Sequence, residues 1–118
     1  MANPNIVNVT SILGKTDTFA LTTASANLVT ATANTVFKIN SIIITNIDGT
    51  DAADVTISYN DLTDIRAIGS TISVPADAAL NLVDKNSGFY LEENEVISGL
   101  ASANSDLVCL VSYEIISS

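Results

Sequence analysis

Histidine, tryptophan and glutamine are absent from the 118 residues, cysteine occurs once, and only four residues are basic. Each shortage removes a class of function. Without histidine the commonest general base, and the usual partner of a serine or cysteine nucleophile, is missing. One cysteine and no histidine leave too few ligands for a zinc site. The lone Cys109 permits no intramolecular disulfide. Lys15, Lys38, Lys85 and Arg66 cannot form a phosphate-neutralising face, so neither nucleic acid nor an anionic membrane surface is an expected partner. Five scattered glycines give no glycine-rich phosphate loop leading into a helix. Apolar runs are short, such as Ile42-Ile43-Ile44, far below the about 20 residues of a membrane-spanning helix. The opening Met1-Ala2-Asn3-Pro4-Asn5 carries neither the basic nor the apolar region of a signal peptide, so a cytoplasmic, unsecreted product is expected.

What is present is apolar and β-branched. Hydrophobic residues make up 47% and charged residues 14%, and the mean hydropathy is +0.41, which excludes a disordered chain. Thirteen acidic residues against four basic ones give a net charge of −9, which keeps so apolar a chain in solution. Isoleucine, valine and threonine supply 37 residues, types that pack on a pleated sheet and lose rotamer freedom in a helix.

Short alternating segments separated by turn residues follow along the chain: 6–13, ended by Gly14-Lys15, then 18–23, 26–32, 36–47, 54–60, 66–74, 79–83, 88–92, 95–99 and 106–116. About eight to ten strands at this spacing predict an all-β, single-domain antiparallel β-sandwich, jelly-roll or immunoglobulin-like, over residues 6–118. Residues 1–5 read as an N-terminal arm. The segment 36–47 is the longest, and uninterrupted alternation places Phe37, Ile39, Ile43 and Ile47 on one face, so an acidic residue at Ile43 should abolish folding. In the last segment Leu107, Cys109, Val111 and Tyr113 share a face, with Cys109 a small buried hydrophobe. Asn60 to Ile68 carries apolar residues three apart, but its Asp-rich flanks favour a turn or one short helical turn.

Two acidic groups invite a chemical reading. Glu92-Glu93-Asn94-Glu95 offers a carboxylate pair of the glycosidase kind, against the plainer reading of a solvated turn. Asp48, Asp51 and Asp54, with Gly49, make an oxygen-rich loop that suggests calcium, against the plainer reading of an acidic hairpin loop. The spacing is not that of an EF-hand. The reading adopted is no catalytic residue, no cofactor and no metal, with those three aspartates the only metal candidates. Phe89 and Tyr90 are adjacent, so alternation sends one inward and leaves the other to anchor an interface, unless both are buried. Ile115 and Ile116 near the C-terminus, and the arm, are candidates to cross to a neighbour.

The runs Val36–Ile42, Asn46–Val55, Ser70–Asp77 and Gly88–Glu93, and the ending Ser112-Tyr113-Glu114, resemble small structural proteins of tailed-bacteriophage virions, especially marine and cyanobacterial ones. The resemblance spans about residues 6–115 and carries over no functional residue. It implies a non-enzymatic β-sandwich built into a virus particle: a decoration or cement protein on the major capsid protein, or alternatively a neck, collar, tail or fibre subunit. It also suggests a homo-oligomer, a trimer fitting the local three-fold positions of an icosahedral shell. The reading from another class is a small carbohydrate-binding module, calcium-assisted through Asp48, Asp51 and Asp54.

Overall fold

The structure, a computed structural model, describes residues 11–84 and 86–117. The expected arm, residues 1–5, and the first half of the expected first strand, residues 6–10, lie outside them. Nine strands run through the described residues: β1 (Ser11–Ala20), β2 (Ala26–Thr30), β3 (Thr35–Asn46), β4 (Ala53–Asn60), β5 (Ile65–Val74), β6 (Ala79–Val83), β7 (Phe89–Leu91), β8 (Val96–Ala101) and β9 (Leu107–Ser117). They form two antiparallel sheets. One has the order β1-β9-β3-β6, with β7 also pairing β3; the other has the order β2-β8-β4-β5. The molecule is a β-sandwich, elongated to 49 × 26 × 20 Å.

The two inner faces meet in one apolar layer. Ile39, Ile42, Ile44, Leu107, Cys109 and Val111 from the first sheet lie over Val29, Val55, Ile57 and Ile97 from the second. On β9 simple alternation holds as read from the sequence: Leu107, Cys109, Val111 and Tyr113 are all buried. Tyr113 stacks on Phe37 with ring centroids 5.1 Å apart, and its hydroxyl donates to Asp17 Oδ2 at 2.5 Å.

β3 departs from uninterrupted alternation. Ile39 faces Tyr113 and Ser41 faces Ser112 on β9, so Asn40 is an extra, unpaired residue, a β-bulge. A bulge reverses the side-chain parity beyond it. Phe37 and Ile39 point inward before Asn40; Ile42, Ile44 and Asn46 point inward after it. Ile43 is therefore half-buried on the outer face opposite Leu110, and Ile47 is exposed, which corrects the grouping of Ile43 and Ile47 with Phe37 and Ile39.

A second correction concerns β1. Gly14-Lys15 was expected to end a strand, yet β1 runs straight through, Gly14 pairing Glu114 and Lys15 pairing Tyr113. A glycine weakens a strand without breaking it when a long partner supplies the ladder, and β9 does so from Val108 to Ser117. Within Asn60–Ile68 only residues 61–64 form a turn; Asn60 ends β4 and Ile65–Ile68 already belong to β5.

Candidate interaction surface

The first acidic loop is held by the Asp48 carboxylate, the Asn46 amide and backbone groups. In the β3–β4 loop, Asp48 Oδ1 accepts from the Thr50 N–H at 2.9 Å. The buried Asn46 amide donates to the Asp51 and Val74 carbonyls at 3.0 and 2.9 Å, and its Oδ1 accepts from the Asp48 N–H at 2.9 Å. The Asp54 carbonyl accepts the Ser102 N–H at 2.9 Å, and the Ser102 hydroxyl accepts the Asp54 N–H at 2.8 Å. Among the described residues no group of three acidic or thiol side chains is placed to hold a metal ion. Asp51→Asn is expected to leave stability within about 0.5 kcal/mol. A calcium-dependent rise in melting temperature that this substitution removes would contradict that.

The run Glu92 to Glu95 was expected to be a solvated turn, and its last member is not solvated. Glu95 is 8% exposed. Its Oε1 accepts from the Tyr59 hydroxyl and from the Glu92 N–H, the latter at 2.8 Å. Glu93 Oε2 accepts the Asn34 N–H at 2.5 Å, and the Asn94 N–H and Glu95 carbonyl bond the two polar backbone groups of Ala31. The run thus stitches the β7–β8 turn to the β2–β3 loop. Burial, then the hydrogen bond to Glu95 and the charges of Glu95 and Glu92, hold the Tyr59 phenol above the ordinary tyrosine value. Sequence reasoning missed the Tyr59–Glu95 pair because its members are 36 residues apart, one on β4 and the other in the β7–β8 turn.

The two aromatic neighbours divide as alternation requires. On β7, Phe89 pairs Ile39 and Leu91 pairs Phe37, both turned inward, while Tyr90 opposite Lys38 is 44% exposed. Phe89 packs on Tyr59 with centroids 5.7 Å apart. Here the sandwich is open along one side. Tyr59, Ile68, Leu82, Val83, Phe89 and Tyr90 border an apolar groove of about 480 Å³. Gly88 brings the chain into β7 against β3; a Cβ there would lie 2.7 Å from the Ile39 carbonyl oxygen.

Beyond the groove lies the β4–β5 turn. Asp61 Oδ1 accepts from the N–H groups of Thr63 and Asp64 at 2.9 and 2.7 Å, and these bonds hold its carboxyl below the usual carboxylate range. Asn60 Oδ1 accepts the Leu62 N–H at 2.9 Å. Leu62 is held at φ 74°, a conformation uncommon for a leucine, with its side chain 61% exposed. Ile65, beside it, is exposed too.

Among the described residues the exposed large apolar side chains are Ile12, Leu13, Ile47, Leu62, Ile65 and Tyr90. The strand registers gather most of them. Asn60 and Thr30 both pair Val96, and Thr35 and Ser11 both pair Ser117. The short loop from Thr30 to Thr35 joins those two sets at one end of the sandwich. Ile12, Leu13, Leu62 and Ile65 lie at that end, Tyr90 a few residues further in, and Ile47 at the other.

The C-terminal candidates fall elsewhere. Ile116 is 3% exposed, sandwiched between Ile12 of β1 and Val36 of β3, and so offers no surface to a neighbour. Ile115 is half-buried and packs against the core. Cys109 is fully buried, and loss of solvation pushes its thiol up to about 12. Among the described residues no helix is long and apolar enough to cross a membrane.

No family model matches the chain, and a search of curated proteins returns no significant match. Solved structures superpose on the chain. A subunit of Bacillus endospore appendages, described as a family of disulfide-linked pili, superposes with a TM-score of 0.53 at 13% identity, over 92% of this chain and 88% of that one. The Drosophila NLP core, described for its pentamer formation and histone binding, gives a TM-score of 0.46 at 14% identity, over 87% of this chain and 96% of that one.

Proposed function

We propose that the chain is a non-enzymatic structural subunit of a larger protein assembly, and that the assembly is a tailed-bacteriophage virion in which it decorates and cements the capsid. One observation carries the general reading: exposed large apolar side chains concentrate at one end of a rigid sandwich. Leu62 and Ile65 there stand on a turn braced by side-chain caps. Apolar patches on a soluble surface mark contacts with other proteins, and a braced turn pays little entropy to present one. The resemblance of the segments 36–42, 46–55, 70–77 and 88–93 to small phage structural proteins supports the finer reading. The role is binding rather than turnover, and the partners are the major capsid protein and further copies of this chain.

A calcium-assisted sugar site draws less support. It would combine the Asp48–Asp54 loop with the aromatic groove. Five residues of extended β4 separate Asp54 from Tyr59, about 17 Å.

The test is co-sedimentation of purified protein with capsids lacking their decoration, followed by electron microscopy of the complex. Saturable binding at many symmetry-related sites, lost in a Leu62→Asp, Ile65→Asp double variant that still folds, is the expected result. Failure to bind the shell, with a few copies found at the neck or tail instead, would replace the decoration role with that one. Absence from the particle altogether would overturn the virion reading.

A further inference from the structure

We propose that β1 is a docking edge for a second copy of this chain, the two β1 strands pairing antiparallel about a two-fold axis centred on Thr16. The inference deepens the assembly reading by naming one of its contacts.

A strand at the edge of a sheet presents a row of unpaired N–H and C=O groups. Proteins usually blunt such edges by keeping them short, by bulging them or by placing proline in them. The other edges here are blunted. β2 and β6 have five residues each and β7 has three. β5 has ten residues, but its pairing with β4 is broken twice, with Thr71 at φ 51° beside one break. β1 is neither short, bulged nor interrupted by proline, and its one protection is the charge of Lys15 and Asp17. It is ten residues long, contains no proline, and pairs β9 without a register shift from Ser11 to Ala20. Among the described residues its other side meets no strand. Residues Ser11 to Thr16 are exposed on both faces, Ile12 by 56% and Leu13 by 58%.

The side chains select the partner and the register. Two copies of one strand related by a two-fold axis perpendicular to the sheet place residues of equal parity opposite each other. Centring the axis on Lys15 would set lysine against lysine, and centring it on Asp17 would set aspartate against aspartate; like charges directly opposite are destabilising. Centring it on Thr16 sets Lys15 against Asp17 of the second copy, twice by symmetry. The same register sets Leu13 against Phe19, Gly14 against Thr18 and Ile12 against Ala20. Within one chain Lys15 Nζ already lies 3.9 Å from Asp17 Oδ1, so both charges stand on the same face, as the cross-strand pairs require. Nine residues of each strand would take part, and the result is a single sheet running through both sandwiches.

Thr16 provides a direct test, because the register puts it opposite itself. Cα atoms of directly opposed residues lie about 4.5–5.5 Å apart, within the range a disulfide spans. The native Cys109 is buried and does not compete. Thr16→Cys is expected to give a covalent dimer under mild oxidation, at double mass on a non-reducing gel. Thr18→Cys, on the same face, sits roughly 14 Å from its symmetry mate and should cross-link at least tenfold less. Sedimentation equilibrium of the unaltered chain should show a dimer. Lys15→Glu, which sets acid against acid twice, should raise the dissociation constant about tenfold while leaving the far-ultraviolet circular dichroism unchanged. A monomer at every soluble concentration, a three-fold oligomer, or equal cross-linking at positions 16 and 18 would overturn the proposal. Should Thr16→Cys fail to fold, the Lys15→Glu measurement decides alone. A chain that binds capsids but does not dimerise through β1 would sink this contact and leave the virion reading standing. A β1 dimer that ignores capsids would do the reverse.

Discussion

Ile44→Asp should yield no folded protein, whereas Ile43→Asp, one residue away on the same strand, should remain folded. Ile44 is fully buried between the sheets, paired with Cys109 on β9 and Leu80 on β6. Removing its side chain forfeits about 2–5 kcal/mol. The carboxyl that replaces it has no partner within the apolar layer and costs several kcal/mol more, whether it stays charged or takes up a proton. The sum rivals the about 5–15 kcal/mol by which a domain of this kind is stable. Ile43 stands on the outer face, opposite Leu110 and Asn81, where water reaches an added carboxylate. There the expected loss is about 1 kcal/mol, in the ordinary range for a partly exposed site. Soluble yield and thermal melting followed by circular dichroism distinguish the two. The opposite ranking would mean that β3 alternates without a break and that Asn40 is not a bulge.

The second large effect is alkaline. Three groups keep their protons longer in the folded chain than in the unfolded one. Burial alone pushes Cys109 up from 9.0 to about 12. Tyr59 is raised by burial, then by its hydrogen bond to Glu95 and by nearby charge. Tyr113 is raised by burial, then by Asp17. Where the folded state holds more protons than the unfolded state, stability falls as pH rises. The contribution of Cys109 is therefore complete below about pH 9 and is lost towards pH 12, a change of about 4 kcal/mol. The tyrosines add to the fall from about pH 10, their unfolded value. Urea denaturation at a series of pH values should show a flat stability up to about pH 8.5 and a steep decline above it. Cys109→Val, close in size and without a proton to lose, should move the onset up towards pH 10. A decline of the same midpoint and depth in that variant would show that the thiol is not the group responsible.

Much of the sandwich is legible in the chain itself because its causes are local. β-branched residues at alternate positions make half-buried strands wherever they occur. On β9 the alternation of Leu107, Cys109, Val111 and Tyr113 continues unbroken, so period two alone identifies the buried face. Asp48-Gly49 marks a turn that the Asp48 carboxylate closes locally by accepting the Thr50 N–H, and adjacency on one strand is enough to send Phe89 inward and Tyr90 outward.

What only the tertiary structure decided depends on partners remote in sequence. Asn40 became a bulge through the pairing of β3 with β9, and that single unpaired residue transferred the core role from Ile43 to Ile42 and Ile44. Gly14-Lys15 stayed within a strand because Glu114 and Tyr113 continue the ladder beside it. Glu95 was drawn out of a run of exposed acids by Tyr59 and the Glu92 N–H, which satisfy it where water cannot. Ile116 is enclosed because β1 and β3 flank it on both sides. The strand order left β1 at an edge, and no local property of its ten residues specifies that position. A strand's own residues determine that it is a strand; whether its hydrogen bonds are completed on one side or two depends on which other strands arrive, and through them on the whole chain.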